Sequence, residues 1–178
     1  MSYQNPWEVY PHIWKTKAEF FSWLRGNLRR AVWETYPPKI EFKNQNCSKP
    51  PPDYTGRARL GTNCALTKVW TAKSSLEVDH IVGNASLTSW DDVLDFIQHL
   101  CSNHTNFQLV EKEAHKVKSY AERSGLTYEE AVIEKKAIAI IKKKKDKQFF
   151  TDRGLEIPSN AKKRRTEIVA ILKKETYD

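Results

Sequence analysis

Five polar residues with acid–base, metal-binding or phosphate-binding chemistry lie in one short stretch of the chain. Asp79 and His80 are adjacent on an apolar segment, Asn106 precedes a second apolar segment, and His115 and Lys118 follow it. Cutting a phosphodiester bond requires a base that takes a proton from water and a cation that offsets the developing negative charge. An imidazole suits the first task, and a carboxylate with a second imidazole suits the second. Residues of these types could therefore supply both a base and a cation site.

Two predicted strands and a helix would position these side chains. The apolar run 77–82 predicts the first strand, and Phe107–Val110 predicts the second. A helix is expected from about Lys112 to Arg123, ended by Gly125. The predicted order is therefore strand, strand, helix.

The predicted elements constrain which side chains can meet. His115 and Lys118 are three positions apart and would share one face of the helix. Neighbouring side chains on a strand point to opposite faces, so Asp79 and His80 cannot face one site from a regular strand. We therefore expect a bend or bulge at the strand end, as occurs beside other active sites.

The order Asp-His, Asn, His, Lys resembles the motif of the HNH nucleases. Asn106 and His115 are nine positions apart, and the resemblance covers residues 76–118. It implies an α+β fold of the ββα-metal kind, with a two-stranded antiparallel hairpin and a helix, flanked by N- and C-terminal helical segments. The part of this chain that precedes residue 76 has a looser similarity to small phage-encoded HNH endonucleases. The resemblance implies a metal-dependent DNA endonuclease; the alternative is a noncatalytic nucleic-acid-binding protein that keeps this fold.

The resemblance also implies a role for each matching residue. His80 would be the general base that activates water, and Asp79 and His115 would bind a divalent cation, Mg²⁺ or another divalent ion such as Mn²⁺. Asn106 would form hydrogen bonds across the loop and orient His80. Lys118 would help to bind phosphate. The sequence leaves open the DNA site, nicking or double-strand cleavage, the preferred metal and the oligomeric state.

A structural zinc ion is not expected. Many HNH proteins carry two Cys-x-x-Cys pairs, which would fall here on Cys64, Thr67, Glu111 and Ala114. A tetrahedral zinc site needs four good ligands, and one thiolate remains. We therefore expect Cys64 to be a small buried apolar residue.

The charge distribution favours an anionic partner, and we expect DNA rather than a membrane or a small molecule. The net charge is +8, and Lys and Arg outnumber Asp and Glu in residues 1–60 and 126–178 but not in residues 61–125. Solvated helix faces would give the same counts. The candidate nucleic-acid-binding residues are Arg25, Arg29, Arg57, Arg59, Lys73, Lys162, Lys163, Arg164 and Arg165.

The flanks of the central stretch divide the chain into three predicted parts. Residues 1–56 would hold a helix from about Lys17 to Thr35, ended by Pro37-Pro38, and then a proline-rich linker. Residues 57–125 would form the nuclease core, and residues 126–178 a basic helical extension. Within the core, a helix beginning near Ser89 is expected to pack on the strands through a face that contains Trp90, Val93, Leu94, Ile97 and Leu100.

The start of the chain is polar, and no apolar run reaches transmembrane length. The three cysteines do not form a disulfide framework. These features favour a reducing compartment, and we expect the cytoplasm.

Overall fold

A computed structural model describes residues 3–83 and 85–177; Met1, Ser2, Asn84 and Asp178 lie outside the described residues. The described residues form a mixed α+β structure with eight α-helices and two antiparallel two-stranded sheets. The chain divides into two compact units, one up to Lys112 and the other from Glu113 onward.

The first unit contains four helices and four strands. The helices are α1 (Pro6–Val9), α2 (Lys17–Leu28), α3 (Pro37–Gln45) and α4 (Val93–Leu100). The strands are β1 (Gly61–Asn63), β2 (Trp70–Ala72), β3 (Leu76–His80) and β4 (Phe107–Glu111). The remaining helices are α5 (Lys112–Ser124), α6 (Tyr128–Lys142), α7 (Asp146–Thr151) and α8 (Ala161–Tyr177).

The β3–β4 hairpin contains both predicted strands. Its antiparallel register runs without interruption from Leu76 opposite Glu111 to His80 opposite Phe107. The expected bulge is therefore absent from this pairing. Because cross-strand partners share a face, His80 lies on the face of Phe107, and Asp79 lies on the opposite face with its partner Gln108.

Two apolar clusters form the core of the first unit. One contains Leu76, Val78, Phe107 and Leu109 from the hairpin, with Trp33, Tyr36, Phe42 and Cys47 packed against it. The other contains Phe20 and Phe21 of α2 with Leu87, Phe96 and Leu100. The hairpin face that carries His80 is thus covered by the segment that follows α2 and by α3.

Helix α2 begins where it was predicted, but its α-helical part is shorter. The Thr16 side chain accepts a hydrogen bond from the Glu19 backbone N–H, while the Glu19 carboxylate accepts one from the Lys15 N–H. After Leu28 the chain continues as a π-helical turn, Arg29–Trp33, rather than as α-helix to Thr35.

The expectation that residues 36–56 form only a linker is wrong for 37–45. Pro37 and Pro38 occupy the first positions of α3 instead of simply separating α2 from a loop. Proline is well suited to the first helical position, because the N–H that it lacks would have no helical partner there. The Tyr36 hydroxyl donates to the Cys101 carbonyl, and Lys43 donates to the Leu76 carbonyl at 2.5 Å, so α3 is fixed to the hairpin and to the end of α4.

Helix α4 begins later than predicted and uses a different face. Asp92, not Ser89, is the N-cap, and its carboxylate accepts hydrogen bonds from Thr88 and Ser89 instead of capping the helix. Phe96 and Leu100 are the buried residues of α4, whereas Trp90 and Leu94 are largely exposed. The helix packs on Phe20 and Phe21 of α2.

The second unit is helical. Gly125 adopts a left-handed conformation after α5, and Thr127 with Glu130 forms a capping box at the start of α6. Helix α7 was not predicted from the sequence. The core of the unit contains Ala137, Phe149, Phe150 and Ile168. Among the described residues, the structure contains no helix with the length and apolar character needed to cross a membrane.

Candidate functional site

Asp79 is a buried carboxylate near the end of β3. Its exposed fraction is 9%, and its Oδ2 accepts a hydrogen bond of 2.9 Å from the Gln108 side-chain amide. A buried carboxylate is costly unless it is hydrogen-bonded or paired with positive charge. The hydrogen bond from Gln108 also fixes the carboxylate on its face of the hairpin.

His80 is the last residue of β3 and lies among aromatic rings. Its ring centroid is 4.3 Å from that of Trp33, at an interplanar angle of 32°, and 5.6 Å from that of Phe107. The His99 ring lies 5.1 Å away, also tilted by 32°. These neighbours restrict the orientation of the imidazole before any substrate binds.

A contact with a backbone carbonyl distinguishes the two ring nitrogens of His80. Nε2 lies 3.3 Å from the carbonyl oxygen of Leu100. Because a carbonyl oxygen only accepts, this contact requires the hydrogen on Nε2. In the neutral ring, Nδ1 is then the nitrogen that can accept a proton.

Asn106 forms hydrogen bonds with the backbone of the two residues that follow His80. Its Oδ1 accepts from the Val82 N–H at 2.9 Å, and its Nδ2 donates to the Val82 carbonyl at 3.3 Å. Its own backbone carbonyl accepts from the Ile81 N–H at 2.8 Å. The hydrogen bonds across the loop that the sequence predicted are therefore present, although their effect on catalysis stays a prediction.

His115 and Lys118 lie on α5, which follows β4 directly in the chain. His115 is half-buried, and the Lys118 ammonium forms an ion pair of 3.3 Å with Glu122. Their spacing of three residues puts both on one helix face, as predicted. Lys118 would therefore have to exchange or share its Glu122 contact to bind a phosphate.

The regular register of the hairpin limits how Asp79 and His80 could act together. Their side chains leave β3 on opposite faces, so no group lying on one face reaches both. The strand ends at His80. At this position the structure has the end of a regular strand where a bulge was expected.

Two neighbours of His80 were not among the predicted site residues. Trp33 is brought to His80 by the turn after α2, and Lys39 lies over its indole with Nζ 4.8 Å from the ring centroid. His99 contacts His80, and its Nε2 is buried without a hydrogen-bond partner. Neither residue is close to His80 in sequence, and no local pattern singles it out.

The candidate nucleic-acid-binding residues fall into two groups. Exposed side chains are those of Arg25, Arg29, Arg57, Arg59, Lys162 and Lys163. The other three are half-buried: Lys73 donates to Asn44, Arg164 pairs with Asp146 at 2.6 Å, and Arg165 pairs with Glu134 at 2.7 Å. For these three, phosphate contact would compete with bonds that hold the fold.

Cys64 is fully buried, as predicted. Burial opposes ionisation of its thiol, but hydrogen bonds from the Thr67 and Glu111 N–H groups and other bonds in the turn outweigh it and lower its pKa. Its Sγ accepts these two N–H groups at 3.5 and 3.3 Å. The thiol thus ties the 64–67 turn to the end of β4.

The two donor types proposed for the cation suit different ions. A carboxylate oxygen suits Mg²⁺ or Mn²⁺, and Mg²⁺ commonly uses only one or two protein carboxylates with water and phosphate, whereas an imidazole nitrogen is more typical of zinc, copper, iron or nickel. Across residues 3–83 and 85–177, there is no group of three or more His, Cys, Asp and Glu side chains that could hold a metal ion.

Comparison with known proteins gives no relative. No protein-family model, curated protein or solved structure matches this chain.

Proposed function

We propose that this chain is a metal-dependent DNA endonuclease of the HNH type, in which His80 is the general base. The observation that carries the proposal is the setting of His80 at the end of β3. Its Nε2 contacts the Leu100 carbonyl, its ring stacks near Trp33, and Asn106 holds the backbone two residues later. A general base needs this kind of fixed orientation and a defined tautomer.

In this proposal, Nδ1 of His80 takes the proton from the attacking water while Nε2 keeps its hydrogen on the Leu100 carbonyl. Asp79 and His115 would hold a divalent cation, which when bound supplies charge neutralisation at the phosphate and the leaving oxygen. Gln108 keeps the Asp79 carboxylate in one orientation. Lys118 would add positive charge beside the phosphate.

A noncatalytic nucleic-acid-binding protein is the second candidate. It is favoured by the regular register of β3, which sends Asp79 and His80 to opposite faces of the hairpin. A binding protein would keep the fold and the basic flanks without needing these two residues to act on one phosphate.

Nicking of a supercoiled plasmid separates the two candidates. Wild type, His80→Ala and the matched control His12→Ala are compared at equal concentration with Mg²⁺ or Mn²⁺, and with EDTA. We expect His80→Ala to lower the rate by about a hundredfold or more, because a general base contributes about that much. The exposed His12 should be dispensable. Equal rates in wild type and His80→Ala would overturn the assignment of His80, and no cleavage by wild type would favour the binding protein.

A further inference from the structure

One end of the second unit is strongly basic. The exposed lysines at this end come from the end of α6, the turn between α6 and α7, the first turn of α7 and the start of α8; they are Lys142, Lys143, Lys144, Lys145, Lys147, Lys162 and Lys163. We call these seven side chains the basic end. They come from two runs of the chain, 142–147 and 162–163.

Ion pairs bring the two runs together. Glu130 pairs with Lys173 at 2.9 Å and Glu134 with Arg165 at 2.7 Å, so α8 runs antiparallel to α6. The start of α8 therefore lies beside the middle and second half of α6. Arg164 then bonds to Asp146 at 2.6 Å, which joins the two lysine runs directly.

The ion pair between Arg164 and Asp146 also offsets a negative charge that would oppose anion binding. Asp146 is the acidic residue within the first lysine run, and its buried carboxylate is bonded to Arg164. Its negative charge is thereby offset inside the unit. The lysines on either side of it, Lys145 and Lys147, remain exposed.

Lys144 occupies a position where stability favours glycine. Its φ is +56°, and the turn after α6 closes with hydrogen bonds from the Lys144 N–H to the Ile141 carbonyl and from the Lys145 N–H to the Ile140 carbonyl. Glycine is the usual residue at this left-handed position, because a side chain is strained there. Strained backbone of this kind concentrates at functional positions.

The charges at the start of α8 are also unfavourable for helix stability. The N-terminal end of a helix carries a partial positive charge and favours acidic residues. Here the first turn contains Lys162 and Lys163, followed by Arg164 and Arg165, and no acidic residue. By contrast, lysines at the close of α6 suit the helix dipole and alone would indicate nothing. Lys144 and the α8 lysines thus keep positive charge at one place against local stability.

We propose that the basic end is a DNA-binding surface, made of residues other than the candidate catalytic ones, which holds the phosphate backbone of a duplex without reading its sequence. This inference rests on the proposed function for the identity of the anion. Both lysine runs lack the apolar side chains that would insert into a lipid surface. Phosphate contacts by flexible lysines position a protein on DNA and carry no sequence information.

The test compares two charge-matched double variants of the full chain. Lys144→Gln/Lys163→Gln removes two charges from the basic end. Arg123→Gln/Lys174→Gln removes two exposed charges from the end of α5 and the far end of α8. Affinity for a fluorescent duplex is measured by anisotropy at several salt concentrations, in EDTA so that no cleavage occurs.

We expect the basic-end variant to lose about tenfold in affinity and to lower the slope of log affinity against log salt by about 2, because each phosphate contact releases about one counterion. The control variant should keep the wild-type affinity and slope. Equal losses in both variants would overturn the proposal in favour of a net-charge effect, and wild-type binding by the basic-end variant would also overturn it.

A third variant separates binding from folding. Lys144→Gly should relieve the left-handed strain and raise Tm by about 2–4 °C, while still weakening DNA binding. A more stable protein that binds DNA less well cannot be explained by misfolding. A more stable protein with unchanged affinity would show that Lys144 does not contact DNA.

Two further measurements distinguish the alternatives. Binding to vesicles that contain phosphatidylserine, with no preference for DNA, would overturn the proposal in favour of a lipid surface. If the basic-end variant loses DNA binding while His80→Ala still cleaves, the surface stands and the proposed role of His80 fails. If His80→Ala loses cleavage while the basic-end variant binds normally, the proposed function stands and the surface fails.

Discussion

The side chain of Asn106 forms hydrogen bonds with both backbone polar groups of Val82, at 2.9 Å to the N–H and 3.3 Å to the carbonyl. Val82 is two residues after His80, and the Asn106 backbone also bonds to Ile81. The Asn106 side chain therefore fixes the backbone two residues after the candidate base, His80. Its substitution should affect chemistry through geometry rather than through charge.

Asn106→Ala should lower cleavage less than His80→Ala does, because the base remains but its backbone support is lost. The free energy of unfolding should fall by about 1–2 kcal/mol, since the Val82 groups lose their partners. Asn106→Asp keeps the acceptor for the Val82 N–H and should retain more activity. Nicking rates and urea unfolding measure both effects, with Asn46→Ala as an exposed control. Cleavage as low as that of His80→Ala would mean that Asn106 does more than orient the loop.

His115→Ala should abolish cleavage at ordinary metal concentration through weaker cation binding. Since Asp79 remains, a large excess of Mg²⁺ or Mn²⁺ should restore part of the activity. The measurement is the nicking rate against metal concentration, which should shift to higher concentration for His115→Ala but not for His80→Ala. A curve that is scaled down without a shift would argue against His115 as a metal ligand.

His99→Phe should raise the free energy of unfolding by about 1 kcal/mol. The substitution keeps a ring beside His80 and removes the buried Nε2, which has no hydrogen-bond partner. His99→Ala should instead destabilise, because it removes the ring as well. Urea unfolding of the three proteins gives the order. A loss of stability in His99→Phe would show that Nε2 is satisfied in solution, for example by water.

We expect the purified protein to fold without stoichiometric zinc, because Thr67, Glu111 and Ala114 stand where three of four ligands would be needed. Elemental analysis after dialysis against EDTA checks this, together with a thermal unfolding curve. Tightly held zinc whose removal unfolds the protein would contradict it. Cys64→Ala should still destabilise, since two N–H groups lose their acceptor.

The stability of the second unit should depend on pH through Asp146. The hydrogen bond from Arg164 lowers the pKa of the Asp146 carboxyl. A carboxyl whose pKa is lower in the folded state stabilises the fold above its unfolded pKa, about 4, and this contribution is lost as pH falls through the folded value. Asp146→Asn should therefore destabilise by about 2 kcal/mol at pH 7, with a smaller difference at lower pH.

Urea unfolding from pH 7 to pH 3 measures this difference for wild type and Asp146→Asn. Glu156→Gln, which changes an exposed carboxylate in the same unit, is the control. A difference between wild type and Asp146→Asn that stays constant across this range would show that the contact does not depend on the charge of Asp146.

The structure follows the sequence most closely where a rule depends on nearby residues. The caps at Thr16 and Thr127 are predictable because each involves a backbone N–H three residues away. Helix α3 was missed because Pro37-Pro38 was interpreted as a break, although proline also begins helices. The face used by α4 depends on packing against Phe20 and Phe21, more than 70 positions earlier, which no local pattern encodes.

The surroundings of His80 also depend on contacts between residues that are distant in the sequence. The apolar runs predicted the two strands, and the family resemblance implied the hairpin and the bonds of Asn106 across the loop. Trp33 and His99 reach His80 only through the tertiary packing of the turn after α2 and of α4. Sequence patterns predicted the candidate groups, but the partners that fix their orientation required the fold.

The π-helical turn makes the chain between α2 and α3 tolerant of a one-residue deletion. In this turn the Glu34 N–H bonds to the Arg29 carbonyl, five residues back, instead of four as in an α-helix. Because such a turn holds about one residue more than an α-turn, removing one residue, such as Ala31, would let α-helical bonding continue and would leave the following residues on nearly the same face. Trp33 would then stay on the side that contacts the His80 ring. An in-frame deletion of one codon here should therefore be less damaging to cleavage than a deletion within α2, which would rotate the residues after it by about 100°.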